Sequence, residues 1–114
     1  MLQISRKGDY AIRGMVYLAS QPPDKISLLG DIAAEMEIPQ TFLSKIFQQF
    51  NKVGLVKSYR GAGGGFQLGR PAGKITLLEI VEAVEGIARE DLKEDVRAIL
   101  ALDIIVVTQN ASAT

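Results

Sequence analysis

The 114-residue sequence predicts a mainly α-helical fold with one small β-hairpin. It reads as a winged helix-turn-helix followed by a C-terminal helix. Three observations carry the prediction. Two short amphipathic helices are separated by Glu37-Ile38-Pro39. A glycine-rich hairpin follows within a few residues. Late in the chain, residues 98–107 are apolar on nearly every side, Asp103 excepted.

Met1 to Ile4 is a short lead-in, and Ser5 is placed to cap a first helix running to about Ser20. Ala11, Met15 and Leu18 form one stripe, with Ile12, Val16 and Ala19 beside it. A helix apolar over so much of its circumference is mostly buried. Gln21-Pro22-Pro23-Asp24-Lys25 stops the helix. Ile26 is placed for a brief strand against the wing, and Ser27 to cap the second helix.

In that second helix Leu29, Ile32, Ala33 and Met36 recur at i, i+3, i+4, i+7. Pro39 biases its predecessor away from helix and suits the first position of a new one. The third helix repeats the spacing with Leu43, Ile46, Phe47 and Phe50. Its other face carries Thr41, Ser44, Lys45 and Gln48. Hydroxyls, an amide and an ammonium can read base edges and phosphates. Any amphipathic helix has a solvated face, so this helix alone does not decide between the two.

The next segment weighs on that choice. Gly54 ends the helix, and Leu55-Val56-Lys57-Ser58-Tyr59 pairs with Phe66-Gln67-Leu68 across a loop opened by Arg60 and Gly61. Four glycines among residues 60–65 permit positive φ and close approach of backbone to a surface. Lys57, Arg70 and Lys74 flank the hairpin. An arginine beside such a tip suits a phosphate backbone or a minor groove. The glycines also suit a plain turn. A nucleotide-phosphate loop fits poorly, because no Gly-Lys-Ser/Thr opens a helix after them.

Gly69 to Gly73 reads as a hinge, which divides the chain into a winged domain at 1–74 and helices at 75–114. Thr76 and Glu79 form a capping box for a helix bearing Leu77, Ile80, Val81 and Val84 and ending at Gly86. Acidic residues 90–95 suit a helix start. Leu92, Val96, Ile99 and Leu100 make a stripe that continues into Ile104. Such a helix must be covered, and a second copy of the chain is the economical cover. Burial in its own subunit and a lipid-binding terminus are the alternatives. Residues 109–114 are expected to fray.

The net charge is zero, yet it is polarised. Ten basic residues against five acidic ones up to Lys74 leave about +5, and three against eight from Ile75 leave about −5. A basic front suits phosphate while an acidic rear stays off it. The chain has no cysteine and no histidine, which excludes disulfides, thiol or imidazole nucleophiles and cysteine- or histidine-held metals. An enzyme would need a carboxylate pair in a cleft, whereas the acids are spaced for helix surfaces, so no catalysis is expected. No signal segment and no membrane-length apolar run is evident, so a cytoplasmic location is expected.

Residues 54–68, from Gly-Leu-Val-Lys-Ser-Tyr-Arg to Gly-Gly-Gly-Phe-Gln-Leu, resemble the wing of the Rrf2 family of bacterial transcription regulators. The opening Ser5-Arg6-Lys7-Gly8-Asp9-Tyr10-Ala11-Ile12-Arg13 and the stretch from Ile75 to Gly86 are similar to that family as well. The resemblance implies a homodimeric regulator, expected to be a repressor, on a pseudo-palindromic operator in double-stranded DNA. It implies that the helix from Gln40 lies in the major groove, with Thr41, Ser44 and Lys45 as base readers. It places Arg60 in the minor groove and makes Lys7 and Tyr10 candidate backbone contacts. A core position for the Tyr10 ring is an equal alternative. Cluster-binding members have glutamate and glutamine where this chain has Ser44 and Lys45, so their operators do not transfer. They also carry a loop with three cysteines after the Gly86 position; this chain has neither the cysteines nor the residues for it, either because it senses nothing through iron and sulfur or because a segment is lost, and no cofactor is expected. A winged helix that binds protein instead of DNA is the competing function, and Arg60 with its basic flank speaks against it.

Overall fold

A computed structural model describes residues 5–86 and 93–104 of the chain. The first helix, α1 (Arg6–Ala19), starts where the Ser5 hydroxyl accepts a hydrogen bond from the Gly8 N–H at 3.1 Å. Its stripe of Ala11, Met15 and Leu18 is buried, as the spacing predicts. Gly14 lies in the same face. A Cβ at this position would sit 2.9 Å from Cε1 of Phe47 and 3.2 Å from Cδ1 of Leu43. The missing side chain therefore lets α1 lie close against the third helix.

α2 (Leu29–Met36) buries Ile32 and Ala33. The sequence expectation is corrected at its start. Leu28, not Ser27, is the cap residue, with no side-chain cap bond. Ser27 instead exchanges backbone hydrogen bonds with Phe66, at 2.9 and 2.8 Å. The brief strand expected at Ile26 is thus a single bridge one residue later. Two extended residues cannot both pair with a hairpin and begin a helix, so the cap falls to the residue beyond the bridge.

Glu37 ends α2 in a left-handed conformation, φ 56° and ψ 50°. Pro39 is the cap of α3 (Gln40–Lys52), one position ahead of the expected one. Its carbonyl accepts from the Leu43 N–H at 3.0 Å. Leu43, Ile46, Phe47 and Phe50 are all buried, so the predicted apolar face is the observed one.

The wing is β1 (Val56–Tyr59) and β2 (Gly65–Leu68), antiparallel, with Lys57 opposite Gln67 and Tyr59 opposite Gly65. Residues 60–64 close it. A Cβ at Gly64 would collide with the Tyr59 carbonyl, and one at Gly65 with the Ser27 carbonyl. Gly61 has φ +97°. The glycines are therefore demanded by a tight hairpin and by the bridge to Ser27.

A short 3-10 turn, Ala72–Lys74, leads to α4 (Leu77–Glu85). Thr76 and Glu79 form the expected capping box. Ile75, Ile80 and Val84 join the core cluster that contains Ala11, Met15, Phe47 and Phe50. α4 packs on α1, and the Ser5 backbone N–H and hydroxyl both donate to the Glu85 carboxylate.

α5 (Glu94–Leu100) is shorter than the periodicity predicts. The chain turns at Ala101 and Leu102. Asp103 bridges Thr76, the Leu77 N–H bonds the Leu102 carbonyl at 3.1 Å, and the Ile104 N–H bonds the Ile75 carbonyl at 3.0 Å. Extended pairing with residues 75–77 takes the backbone groups that a continuous helix would have used. Residues 105–107 and 109–114 lie outside the described residues.

Candidate nucleic-acid interface

The polar flank of α3 is open. Gln40, Thr41, Lys45 and Gln48 are exposed and Ser44 is half-buried. The opposite face fixes this orientation, since four apolar side chains at helical spacing sink into the core. A helix held so firmly on one side presents its other side without freedom to roll. That is the preorganisation a groove reader needs.

The wing is tied to the inner face of the same helix. Phe66 of β2 meets the Phe47 ring edge-on, with centroids 5.0 Å apart. Lys57, Arg60 and Gly61 are exposed. Among the described residues no carboxylate pairs with Lys7, Lys45, Lys57 or Arg60. Tyr59, next to Arg60, is held from the other strand, its hydroxyl donating to Gln67 Oε1 at 2.8 Å.

Of the two α1 candidates, Lys7 is half-buried and Tyr10 lies against α3. Tyr10 is half-buried and meets the ring of Phe42, centroids 5.8 Å apart and planes at 70°. The packed position therefore describes the ring, and the second turn of α1 abuts the start of α3. Phe42 itself is 48% exposed. The face pattern of α3 does not single it out, because it lies between the apolar and polar stripes.

Arg13 is the residue that pattern reading passed over. Its Nη1 donates to the Met36 carbonyl at 2.8 Å, and its guanidinium lies 5.0 Å from the Tyr10 ring centre. Asp9 holds it in place at 2.6 Å. The Arg13 hydrogen bond keeps the Asp9 carboxyl below the usual carboxylate range, and Asp9 raises Arg13 in turn. Arg13 thus ties α1 to the end of α2, where the helix-turn-helix turns. The Asp9/Arg13 spacing of i, i+4 was legible in the sequence, whereas the carbonyl it reaches was not.

Arg70 makes a similar tie after the wing. It donates to Glu79 at 2.5 Å and to the Lys74 carbonyl at 3.1 Å. Burial pushes the Glu79 carboxyl up. The Arg70 side-chain bond and the Thr76 backbone bond outweigh it, and the net shift is downward.

The proposed dimer residues divide. Ile99 is 61% exposed and Val96 is half-buried. Leu100 and Ile104, at 3% and 0% exposure, are buried within their own chain. The turn at residues 101–103 rotates them inward and leaves Leu102, 43% exposed, on the outside with Ile99. Leu92 lies outside the described residues.

A helix-turn-helix with this wing and this glycine loop matches one family closely. The sequence profile described as "Rrf2: Iron-dependent Transcriptional regulator" fits residues 4–96. The chain belongs to the Rrf2 family. It is 37% identical over 84 residues to the HTH-type transcriptional regulator IscR of Xenorhabdus nematophila, a match covering 74% of this chain and 51% of that protein. The chain spans about half the length of the curated Rrf2 relatives it matches. Among solved structures, CymR, the global cysteine regulator of B. subtilis, superimposes with a TM-score of 0.86 at 28% identity, covering 96% of this chain and 98% of that one. IscR of T. potens gives 0.84 at 26% identity, covering 96% and 88%.

The donors of this Rrf2 chain do not fit iron held by thiolates or imidazoles. Its 114 residues contain neither cysteine nor histidine. Among the described residues no cluster of three or more carboxylates could take a metal instead. No described helix is long and apolar enough to cross a membrane.

Proposed function

We propose that this chain binds duplex DNA in a sequence-specific manner as a homodimer and represses transcription from a pseudo-palindromic operator. One observation carries the reading. Among the described residues nothing pairs with the polar flank of α3 or with Arg60 of the wing, and both lie at the surface, Ser44 half-buried, on elements whose other sides are locked into a single core. A module that binds protein would gain nothing from unpaired cations at a glycine-lined tip. In this reading Thr41, Ser44 and Lys45 meet base edges, with Gln40 and Gln48 at the groove walls. Lys7 and Lys57 meet phosphates, Gly61 admits the backbone at the wing tip, and Arg60 enters the minor groove. Tyr10 acts by packing against Phe42. Ile99, Val96 and Leu102 form the contact between copies. The chain works without an iron-sulfur cluster, because it offers no thiolate to hold one.

The test is selection of bound sequences from random duplexes at fixed salt, followed by anisotropy titration of the selected site. Arg60→Ala should cost each wing about 1–2 kcal/mol and lower the salt slope by about 1 per wing. It should also relax any A·T preference at the flanks. Lys45→Ala should cost about 1–3 kcal/mol in discrimination at one base pair. No enrichment over the starting pool, or an Arg60→Ala affinity equal to that of the wild type, would overturn the reading.

A further inference from the structure

A cavity of about 460 Å³ lies at the foot of the wing. One wall is the loop from α1, with Leu18, Pro22 and Pro23, and the other is the segment leaving β2, with Leu68, Pro71 and Ala72. Its size falls within the range of small-molecule sites, which combine an apolar lining with a few convergent polar groups. The polar groups here are Gln21, Lys25, Gln67 and Arg70. Their charge is unbalanced. Among the described residues Lys25 Nζ donates to Gln21 Oε1 alone, at 3.0 Å, and an ammonium has three donors. Arg70 commits two of its nitrogens to Glu79 and the Lys74 carbonyl and keeps further N–H groups. Glu79 offsets the Arg70 charge, and the Lys25 ammonium brings its spare donors to the rim of an apolar hollow.

We propose that this cavity binds a small organic anion, with an apolar body between the two proline-bearing walls and a carboxylate held by Lys25 and Arg70. The site connects directly to the wing. Gln67 accepts the Tyr59 hydroxyl at 2.8 Å, and Tyr59 precedes Arg60. The loop wall runs on into Ser27, which bridges Phe66 of β2. An occupant touching both walls therefore bears on the two tethers that set the pitch of the hairpin. The binding site stands on its own geometry, while an effector role for its occupant rests on the DNA-binding reading.

The experiment is an amide-shift NMR titration of the whole 114-residue protein with 3-phenylpropionate, in parallel with the neutral 3-phenylpropan-1-ol, and without DNA. We expect saturable shifts at residues 21–25 and 67–72 and at Tyr59 and Arg60. The alcohol should bind about tenfold more weakly, and Lys25→Glu should weaken the acid by a similar factor. Lys25 is exposed, so that variant keeps its fold. Ala72→Leu should block binding by filling the hollow. Scattered unsaturable shifts, equal affinity for acid and alcohol, or indifference to Lys25→Glu would overturn the site. Saturable cavity shifts without movement at Tyr59 and Arg60 would overturn the link to the wing. Since no DNA is present, either failure leaves the DNA-binding reading standing, and a failure to bind DNA leaves the cavity result standing.

Discussion

Gly14→Ala sets two effects of known size against each other. In an exposed helix interior, replacing glycine by alanine stabilises by about 1 kcal/mol. At position 14 the added methyl would meet Phe47 Cε1 at 2.9 Å and Leu43 Cδ1 at 3.2 Å, against a carbon-carbon optimum of about 3.5–4.0 Å. Neither neighbour has room to retreat. Phe47 and Leu43 are both 0% exposed, and the Phe47 ring is held between Phe50 and Phe66, at 5.8 and 5.0 Å. Overpacking of this kind costs about 1–3 kcal/mol. The overpacking should win, with a net loss of about 1 kcal/mol, or about 3–6 °C in Tm for a domain of this size. Calorimetry with urea titration would measure it. The strain should also reach β2, because Phe47 leans on Phe66, and the amide signals of residues 65–68 should move. A Gly14→Ala protein more stable than the wild type by the full helix-propensity gain would refute the close approach of α1 and α3.

Glu37→Gly should stabilise the chain by about 1 kcal/mol, since a left-handed conformation costs a side-chain-bearing residue about that much. A loss of stability in urea would show that the Glu37 side chain does something the geometry does not reveal. Glu79 has a folded-state pKa below its ordinary value near 4.5, so the stability it contributes is present above that pH and is lost as pH falls through the depressed value. Glu79→Gln should therefore flatten the pH dependence of Tm below about pH 5, and an unchanged acid limb would place the titration elsewhere. Ile99→Glu should leave the fold intact, because the side chain is exposed, yet shift sedimentation toward a single copy. Leu100→Glu should instead unfold the chain, and dimer loss from both variants without unfolding would restore Leu100 to the interface.

Most of the candidate site could be read from spacing. Leu43, Ile46, Phe47 and Phe50 dictated which side of α3 is buried, and so left Gln40, Thr41, Lys45 and Gln48 outside. Four glycines after Arg60 announced a hairpin whose backbone comes close to other backbone. Thr76 and Glu79 announced a helix start by a local exchange of hydrogen bonds. These features lie within a few residues of their partners, and local geometry follows from composition and period.

Tertiary structure decided whatever depends on a distant partner. The pattern at Leu100 and Ile104 said that the side chains would be covered, but not by what. The answer came from the pairing of residues 102–104 with 75–77, which turned both inward and left Ile99 and Leu102 outside. Ser27 had the chemistry of a cap, yet its backbone went to Phe66. Arg13 carries no signal in the apolar pattern of its helix, and its partner is the Met36 carbonyl 23 residues away. Periodicity records which groups must leave water, whereas their partners are chosen by the way the whole chain closes on itself.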